Sequence, residues 1–343
     1  LTIDRSEVQI ERAQFQLEGS IDIDNDLYLD LILEGKKPNF DLFLAFAPTE
    51  LVPLLERYDN GGQIYFDARV EGSSINGKSP AINVDFGCID AFVQNTSANK
   101  GVNELYFKGN FTNGEERDVT TMMLSIEDFR ARPETGNFSG NIHVNNFESP
   151  EIDMQVKSDF DLDFLAKFLN LSTLRDITGN VSLELNFHDI VDLDNPGKAI
   201  EKLNESYFTK LEISDLNFNA TTFHLPVRDV NVSATMDGHR ANIDRFDMRI
   251  GKSDVSFTAT VSDLPAIQHH TDPPVEAILD ITSSLIDISE ITQSTDSSGI
   301  NEQLEDLSLR LKFTSSARAF TESPHLPTGE FFIEKLHATF NKY

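Results

Sequence analysis

Apolar and polar residues alternate one by one along much of the chain. Leu27, Leu29, Leu31 and Leu33 are interleaved with Tyr28, Asp30, Ile32 and Glu34, and Ile64, Phe66, Ala68 and Val70 with Gln63, Tyr65, Asp67, Arg69 and Glu71. Val181, Leu183, Leu185 and Phe187 alternate with Ser182, Glu184 and Asn186. The rhythm returns at Leu216 and Phe218, at Val230 and Val232, at Phe246, Met248 and Ile250, at Val255, Phe257, Ala259 and Val261, and at Leu307, Leu309, Leu311 and Phe313. Successive side chains on a strand point to opposite faces, so each run predicts a strand with one dry and one wet face. Parallel sheets are buried on both faces and read as continuous apolar runs, so this alternation predicts antiparallel pairing. Asn60-Gly61-Gly62, Asn113-Gly114, Asp237-Gly238 and Asp272-Pro273-Pro274 read as turns between strands.

Helical patterns are few and short. Thr49 can cap a helix striped by Leu51, Leu54, Leu55 and Tyr58; Asp161 can cap one striped by Leu165, Phe168 and Leu169; Asn195-Pro196 can open one carrying Ala199, Ile200 and Leu203. The first two share a plan: strand, short helix, then a glycine (Gly62 or Gly179) that leads into a strongly alternating strand. A degenerate third copy begins at Ile278 through Ile291 and resumes at Leu307. The Ser-, Asp- and Thr-rich stretch 292–303 reads as a flexible loop.

The expected fold is mainly β: an elongated, curved antiparallel sheet forming an apolar groove, with a few short helices. It would comprise an amphipathic region over 1–150, a continuation over 151–291, the loop at 292–303 and terminal strands over 304–343. So many amphipathic strands supply a long apolar face that short helices cannot cover. A second sheet, closure into a barrel, or a hydrophobic ligand in an open trough would each cover it, and alternation leaves all three open.

Charge narrows the function. The 343 residues hold 28 Lys+Arg against 57 Asp+Glu, a net charge of −29. Binding to nucleic acid or to an anionic bilayer surface needs clustered positive charge, and no Lys/Arg run supplies it. Apolar residues make up 39% of the chain and 26 of them are Phe, enough to build a core. Cys88 is the only cysteine, which removes intrachain disulfides, Cys-rich zinc sites and CxxC chemistry and leaves a small apolar filler. No stretch approaches the roughly 18 apolar residues of a membrane-spanning helix. The chain opens on Leu1 rather than Met and reads as a piece of a longer protein, with an anchor or signal expected upstream.

Candidate chemistry fails on spacing. No GxGxxG, Walker loop or HExxH is present, and neither Gly72-Ser73-Ser74-Ile75-Asn76 nor Gly136-Asn137-Phe138-Ser139-Gly140 places its glycines for a nucleophile elbow. Asp22, Asp24 and Asp26, and Asp159, Asp161 and Asp163, have calcium-loop spacing, but Leu27 and Phe164 stand where that loop needs glycine. A solvated strand face or a helix cap accounts for both. His269 and His270 with Asp272 form the only His cluster, and adjacent residues on an extended chain diverge. Eight Asn-x-Ser/Thr sequons occur, at Asn95, Asn110, Asn137, Asn170, Asn180, Asn204, Asn219 and Asn231, against about three or four expected by chance. A glycosylated secreted protein would carry them; wet strand faces filled with Asn, Ser and Thr would generate them too, and that is the reading adopted. No enzyme activity, metal or cofactor is expected.

From Ile152 to Ile291 an ordered string of features carries a family resemblance. It runs through Met154 to Leu162, Ile177-Thr178-Gly179-Asn180-Val181-Ser182-Leu183, a short helix at Ala199 to Leu203, the strand Leu211 to Phe218, and Leu225-Pro226-Val227 with Val230-Asn231-Val232. It closes with Ile250-Gly251-Lys252-Ser253-Asp254-Val255-Ser256-Phe257 and Leu264. In this order the segment resembles the AsmA-like family of Gram-negative envelope proteins, whose recurrent hairpin the Gly251-Lys252-Ser253-Asp254 turn is similar to. The resemblance implies a periplasmic β-groove anchored to the inner membrane by an N-terminal segment not in this chain. It also implies phospholipid acyl chains as ligands, outer-membrane assembly proteins as further partners, and a role in phospholipid transport or outer-membrane assembly. It offers no catalytic residues. The groove is then expected to be lined by Val181, Leu183, Leu185, Phe187, Leu216, Phe218, Val230, Val232, Phe246, Met248, Ile250, Val255 and Phe257. The rival expectation is a closed β-sandwich, a structural or adhesive module of a secreted or cell-surface protein.

Overall fold

The computed structural model describes residues 1–10, 13–37, 39–44, 58–75, 77–169, 174–190, 209–220, 224–268, 272, 274–292, 303–316, 318 and 329–339. Among the described residues seventeen strands belong to one open antiparallel sheet, the mainly β architecture that the alternation predicts. The chain divides into two compact units, one of Leu1–Ser158 with His188–Leu193 and one of Asp159–Phe187 with Asp194–Tyr343.

The first unit is a meander of β1 (Thr2–Ile10), β2 (Ala13–Asp22), β3 (Tyr28–Lys37), β4 (Asp59–Ser73), β5 (Ala81–Asn95), β6 (Lys100–Thr112), β7 (Met123–Pro133) and β8 (Gly136–Asn145), with β9 (Glu151–Asp161) beginning in it. The helix α1 (Asp41–Leu44) lies between β3 and β4. Register places Leu17, Leu33, Ala68, Val84, Phe111, Leu124 and Val144 side by side on successive strands. A neighbouring row sets two aromatic rings between two glycines: Gly35, Phe66, Phe86 and Gly109, continuing to Ile126 and Ile142. A Cβ on Gly109 would sit 2.4 Å from the Phe86 ring, so the ring lies over the glycine. Phe15 likewise reaches across Gly35 to meet Phe66 edge-on, with ring centroids 5.6 Å apart. Around Phe15 the core gathers Leu42 of α1, Ile64 and Cys88, all nearly inaccessible. Burial pushes the Cys88 thiol up to about 12, which makes it the inert filler its isolation in the sequence suggests.

The second unit contains α2 (Leu162–Phe168), β10 (Leu174–Ile190), β11 (Lys210–Ala220), β12 (Val227–Asp237), β13 (Arg240–Ile250), β14 (Ser253–Val261), α3 (Leu264–Gln268), β15 (Pro274–Asp287), α4 (Ile288–Thr292), β16 (Gln303–Ser316) and β17 (Gly329–Thr339). From β10 to β17 each strand pairs antiparallel with the next. Asp161 caps α2 as expected, accepting from the Phe164 amide at 2.9 Å. The buried residues of α2 are Phe164 and Ala166, however, and Leu169 of the expected stripe lies past the helix, exposed.

Other expectations are corrected or fall elsewhere. Asn60-Gly61-Gly62 is inside β4, not a turn, because its backbone completes the ladder to β5 through the pairs Asn60–Val93 and Gly61–Phe92. The helices expected after Thr49 and Asn195, and most of the loop at 292–303, lie outside the described residues. The glycines of the shared plan are structurally equivalent. Gly62 and Gly179 adopt φ of 136° and 124°, and a Cβ on them would come within 2.4 Å of Ala91 Cα and 2.7 Å of Leu216 Cα. Each therefore lets a neighbouring strand approach closer than any side chain would permit.

What presses on those glycines is a recurring bulge. Asp90, Glu104, Asp128, Asp176, Asp215, Asp229 and Asp306 all have φ of 49–54°. Each sits at a break in strand register. Each also directly precedes an apolar residue: Ala91, Leu105, Phe129, Ile177, Leu216, Val230 and Leu307. Left-handed backbone is costly for most side chains and tolerated by Asp, and the extra residue bends the strand and raises its twist. Between β11 and β12 two such bulges are laced together. Asn231 accepts from the Asp215 amide at 3.1 Å and donates to the Asp229 carbonyl at 2.9 Å; Asn217 accepts from the Asp229 amide at 3.0 Å and donates to the Asp215 carbonyl at 2.8 Å.

Gly179→Ala should therefore destabilise the protein by about 1–3 kcal/mol, through steric overlap and a left-handed backbone that alanine resists. The measurement is the urea midpoint at constant m, and a loss below about 0.5 kcal/mol would contradict the close approach.

Candidate functional site

In the second unit the strand registers assemble two rows of apolar side chains that cross eight strands without interruption. One consists of Val181, Ile213, Val232, Phe246, Phe257, Ile281, Leu309 and Ile333; the other of Leu183, Leu211, Ala234, Ile243, Ala259, Leu279, Leu311 and Phe331. The rings of Phe246 and Phe257 stack at 4.3 Å in the middle of the first row. Neither row contains a charged residue. The opposite face of the same strands is polar, with Asp280 opposite Arg310 at 2.5 Å and Asp247 accepting from the Ser256 hydroxyl at 2.7 Å.

The two rows differ from their neighbour in what lies over them. The next row, Met236, Ala241, Val261 and Ala277, is buried to between 2% and 9% exposure beneath Leu264, Ala266 and Ile267 of α3. In the two open rows only Val181, Ala234 and Ala259 are buried, most of the rest are half-buried, and Ile333 and Phe331 reach 50% and 62% exposure. Among the described residues of this unit the strands from β10 to β17 follow one another in a single lateral order.

On the other side of the open rows the face stays apolar apart from one serine. Leu216 pairs with Val230 and Met248 with Val255, but Ser283 stands on the same face of β15 and pairs with Leu307. At the hairpin end Ser253 and Asp287 are both buried, and the Ser253 hydroxyl accepts from the Asp287 amide at 2.9 Å. The Asp287 carboxylate caps α4, accepting from the Ser289 hydroxyl at 2.6 Å, the Glu290 amide at 3.0 Å and the Gln303 side chain at 2.9 Å. These bonds, the Ser289 hydroxyl first, hold its pKa below the usual carboxylate range. Glu290 in turn accepts from the Lys252 amide at 2.8 Å, tying α4 to the Gly251-Lys252 turn.

Of the residues expected to line a groove, Val181, Leu183, Val232, Phe246 and Phe257 fall in the open rows. Leu216, Val230, Met248 and Val255 lie beside them, and Phe218 and Ile250 both pair with Val227 in a row that ends at buried Ser253. Leu185 and Phe187 continue β10 past its pairing with β11. Sequence reading missed Ile213 and Ile243 because each lies three residues, not two, from the next apolar residue on its face. For Ile213 the signal was available: Asp215 directly before Leu216 marks the bulge that shifts the phase. Leu211, Leu279 and Leu311 were left out for want of the lateral register.

The polar clusters have structural roles. Asp22 accepts from the Asp24 amide at 3.2 Å, Asp26 pairs with Lys78 at 2.9 Å, and Asp163 with Lys167 at 2.6 Å. No group of three His, Cys, Asp or Glu is placed to hold a metal among the described residues, and His269 and His270 lie outside them. Three sequon asparagines serve the wet face, Asn110 donating to Asn83 and Asp85, Asn219 to Asp176 and Asn231 to the Asp229 carbonyl, whereas Asn95 is buried and accepts from the Ser97 hydroxyl and the Ala98 amide. No helix among the described residues is long and apolar enough to cross a membrane. No family model matches the chain, and neither a curated protein nor a solved structure is significantly similar to it. The AsmA-like resemblance therefore rests on its motifs.

The depressed Asp287 pKa fixes the sign of a pH effect. The group's contribution is complete above the unfolded carboxylate value and is lost as pH falls through the lower folded value. Between about pH 5 and about pH 3 the wild-type melting temperature should fall more steeply than that of Asp287→Asn. Parallel slopes would contradict the assignment.

Proposed function

We propose that the chain is a non-enzymatic lipid-binding groove, part of an envelope protein for phospholipid transport or outer-membrane assembly. The observation that supports it most is the pair of uncharged rows left open in the second unit, beside a third row that a helix covers. Eight strands at about 4.8 Å give each row a lateral run of about 34 Å. Each acyl methylene moved out of water onto such a surface contributes about 0.8 kcal/mol, so chains bind without a headgroup pocket. The wet face, carrying the acidic residues, keeps the protein dispersed and away from anionic bilayers. The setting follows from the family resemblance: the periplasm, with an inner-membrane anchor upstream of this chain and outer-membrane assembly proteins as partners. A closed sandwich would need a second sheet over the rows, and half-exposed side chains favour the open reading.

Phe257→Asp places a carboxylate on the open row, where it should cut co-purified lipid, measured by mass spectrometry, by about tenfold without unfolding the protein. A photo-reactive residue at Leu183 should crosslink to lipid while the same probe at Glu184, about 3.3 Å further along β10, should not. Normal lipid in a folded Phe257→Asp protein, or equal labelling from both probes, would sink the groove.

A further inference from the structure

Among the described residues of the second unit, one polar group is explained by neither its core nor its wet face. Ser283 is 5% exposed, and its Oγ is buried with no hydrogen-bond partner. Serine elsewhere in the fold is used: Ser253 accepts from Asp287, and Ser289 donates to it. A buried hydroxyl left unsatisfied is unfavourable, and an alanine in its place would remove the penalty.

Its position suggests a partner. Along one face of β15 the order is Ala277 beneath α3, Leu279 and Ile281 in the two open rows, then Ser283. The six residue steps from Ala277 to Ser283 span about 20 Å. Half of a bilayer's hydrocarbon core is about 15 Å deep. A lipid chain lying along the strands, with its end against α3, therefore brings its head to Ser283. Beyond Ser283 the same face of β15 carries the half-buried Leu285 and then Asp287, which caps α4 beside the exposed Lys252. The hydroxyl can donate, and the acceptor that an acyl chain carries at its head is its carbonyl. A free carboxylate is disfavoured there because Asp287, four residues on, is held ionised. A second copy of the chain is a poor occupant, since each copy carries −29.

We infer that Ser283 donates a hydrogen bond to the ester carbonyl of an acyl lipid whose tail points toward α3. This rests on the lipid-groove reading and adds to it a chemical class, the acyl ester, and an orientation. In the empty face the hydroxyl is closed over, so the half-exposed apolar side chains beside it swing aside when the chain enters.

The test compares two lipids that differ only in that carbonyl. Dioleoyl phosphatidylcholine and its dioleyl ether analogue compete with a fluorescent acyl probe on the purified chain and on Ser283→Ala. The wild type should bind the ester about threefold to tenfold more tightly, the worth of one neutral hydrogen bond. Ser283→Ala should lose that margin, keep its ether affinity and melt no lower than wild type. Equal affinities in the wild type, or an ester preference that survives in Ser283→Ala, would overturn the anchor while leaving the groove standing. If neither lipid displaces the probe from either protein, the lipid reading itself falls. A dimer on gel filtration that neither lipid disperses would instead put a second copy on the face and overturn the inference.

Discussion

Lateral register between antiparallel strands is the constraint on which everything else depends. A strand carries its apolar residues on one face only as long as period two holds, and a slip of one residue would turn every following side chain outward. Here the strands bulge repeatedly, yet the apolar rows cross the breaks intact. Ile213 and Leu216 are three residues apart, and still meet Val232 and Val230 on the same face of the next strand. The extra residue at Asp215 absorbs the slip in a left-handed backbone. The bulges are thus the means by which bent strands keep one dry face.

Acidic residues at these positions carry two roles at once. Aspartate tolerates the left-handed conformation, and its side chain projects into water from the wet face. Part of the chain's net charge of −29 is therefore tied to backbone geometry. The reciprocal bonds of Asn217 and Asn231 satisfy bulge amides and carbonyls that have left the ladder, which otherwise would depend on water. The same need accounts for two of the sequon asparagines. Asn219 and Asn231 serve the bulges at Asp176 and Asp229, and Ser233, two residues on from Asn231, donates to Glu212 on the wet face.

Short helices decide which parts of the apolar face stay available. In the first unit Leu42 of α1 packs against Phe15 and the space above Gly35; in the second, α3 seals the row at Ala277. A helix of five residues contributes little stability of its own and persists through the face it covers. Where no helix reaches, aliphatic side chains remain half-exposed, at a cost that a hydrophobic occupant would relieve. Ser253, Ser283 and Asp287, buried among apolar residues on one side of the open rows with α3 on the other, then give the rows a direction that a uniform apolar sheet would lack.

The sequence alone was enough for the class of fold, because alternation, turn glycines and the scarcity of helical stripes are local properties. It also identified half of the dry face, as at Val181, Leu183, Phe246 and Phe257, and the equivalence of Gly62 and Gly179, whose backbone demands leave a trace in residue type. It determined the absence of the commoner catalytic and nucleotide-binding motifs, since these depend on spacing. Tertiary structure decided the rest. Whether Ile213 or Leu279 joins the open rows depends on which residue lies opposite on another strand, and one misplaced bulge reverses the answer. Whether a row is covered depends on where a five-residue helix such as α3 folds back. That Ser283 stands without a partner is a fact about neighbours brought together from distant parts of the chain, and period two along one strand carries no information about them.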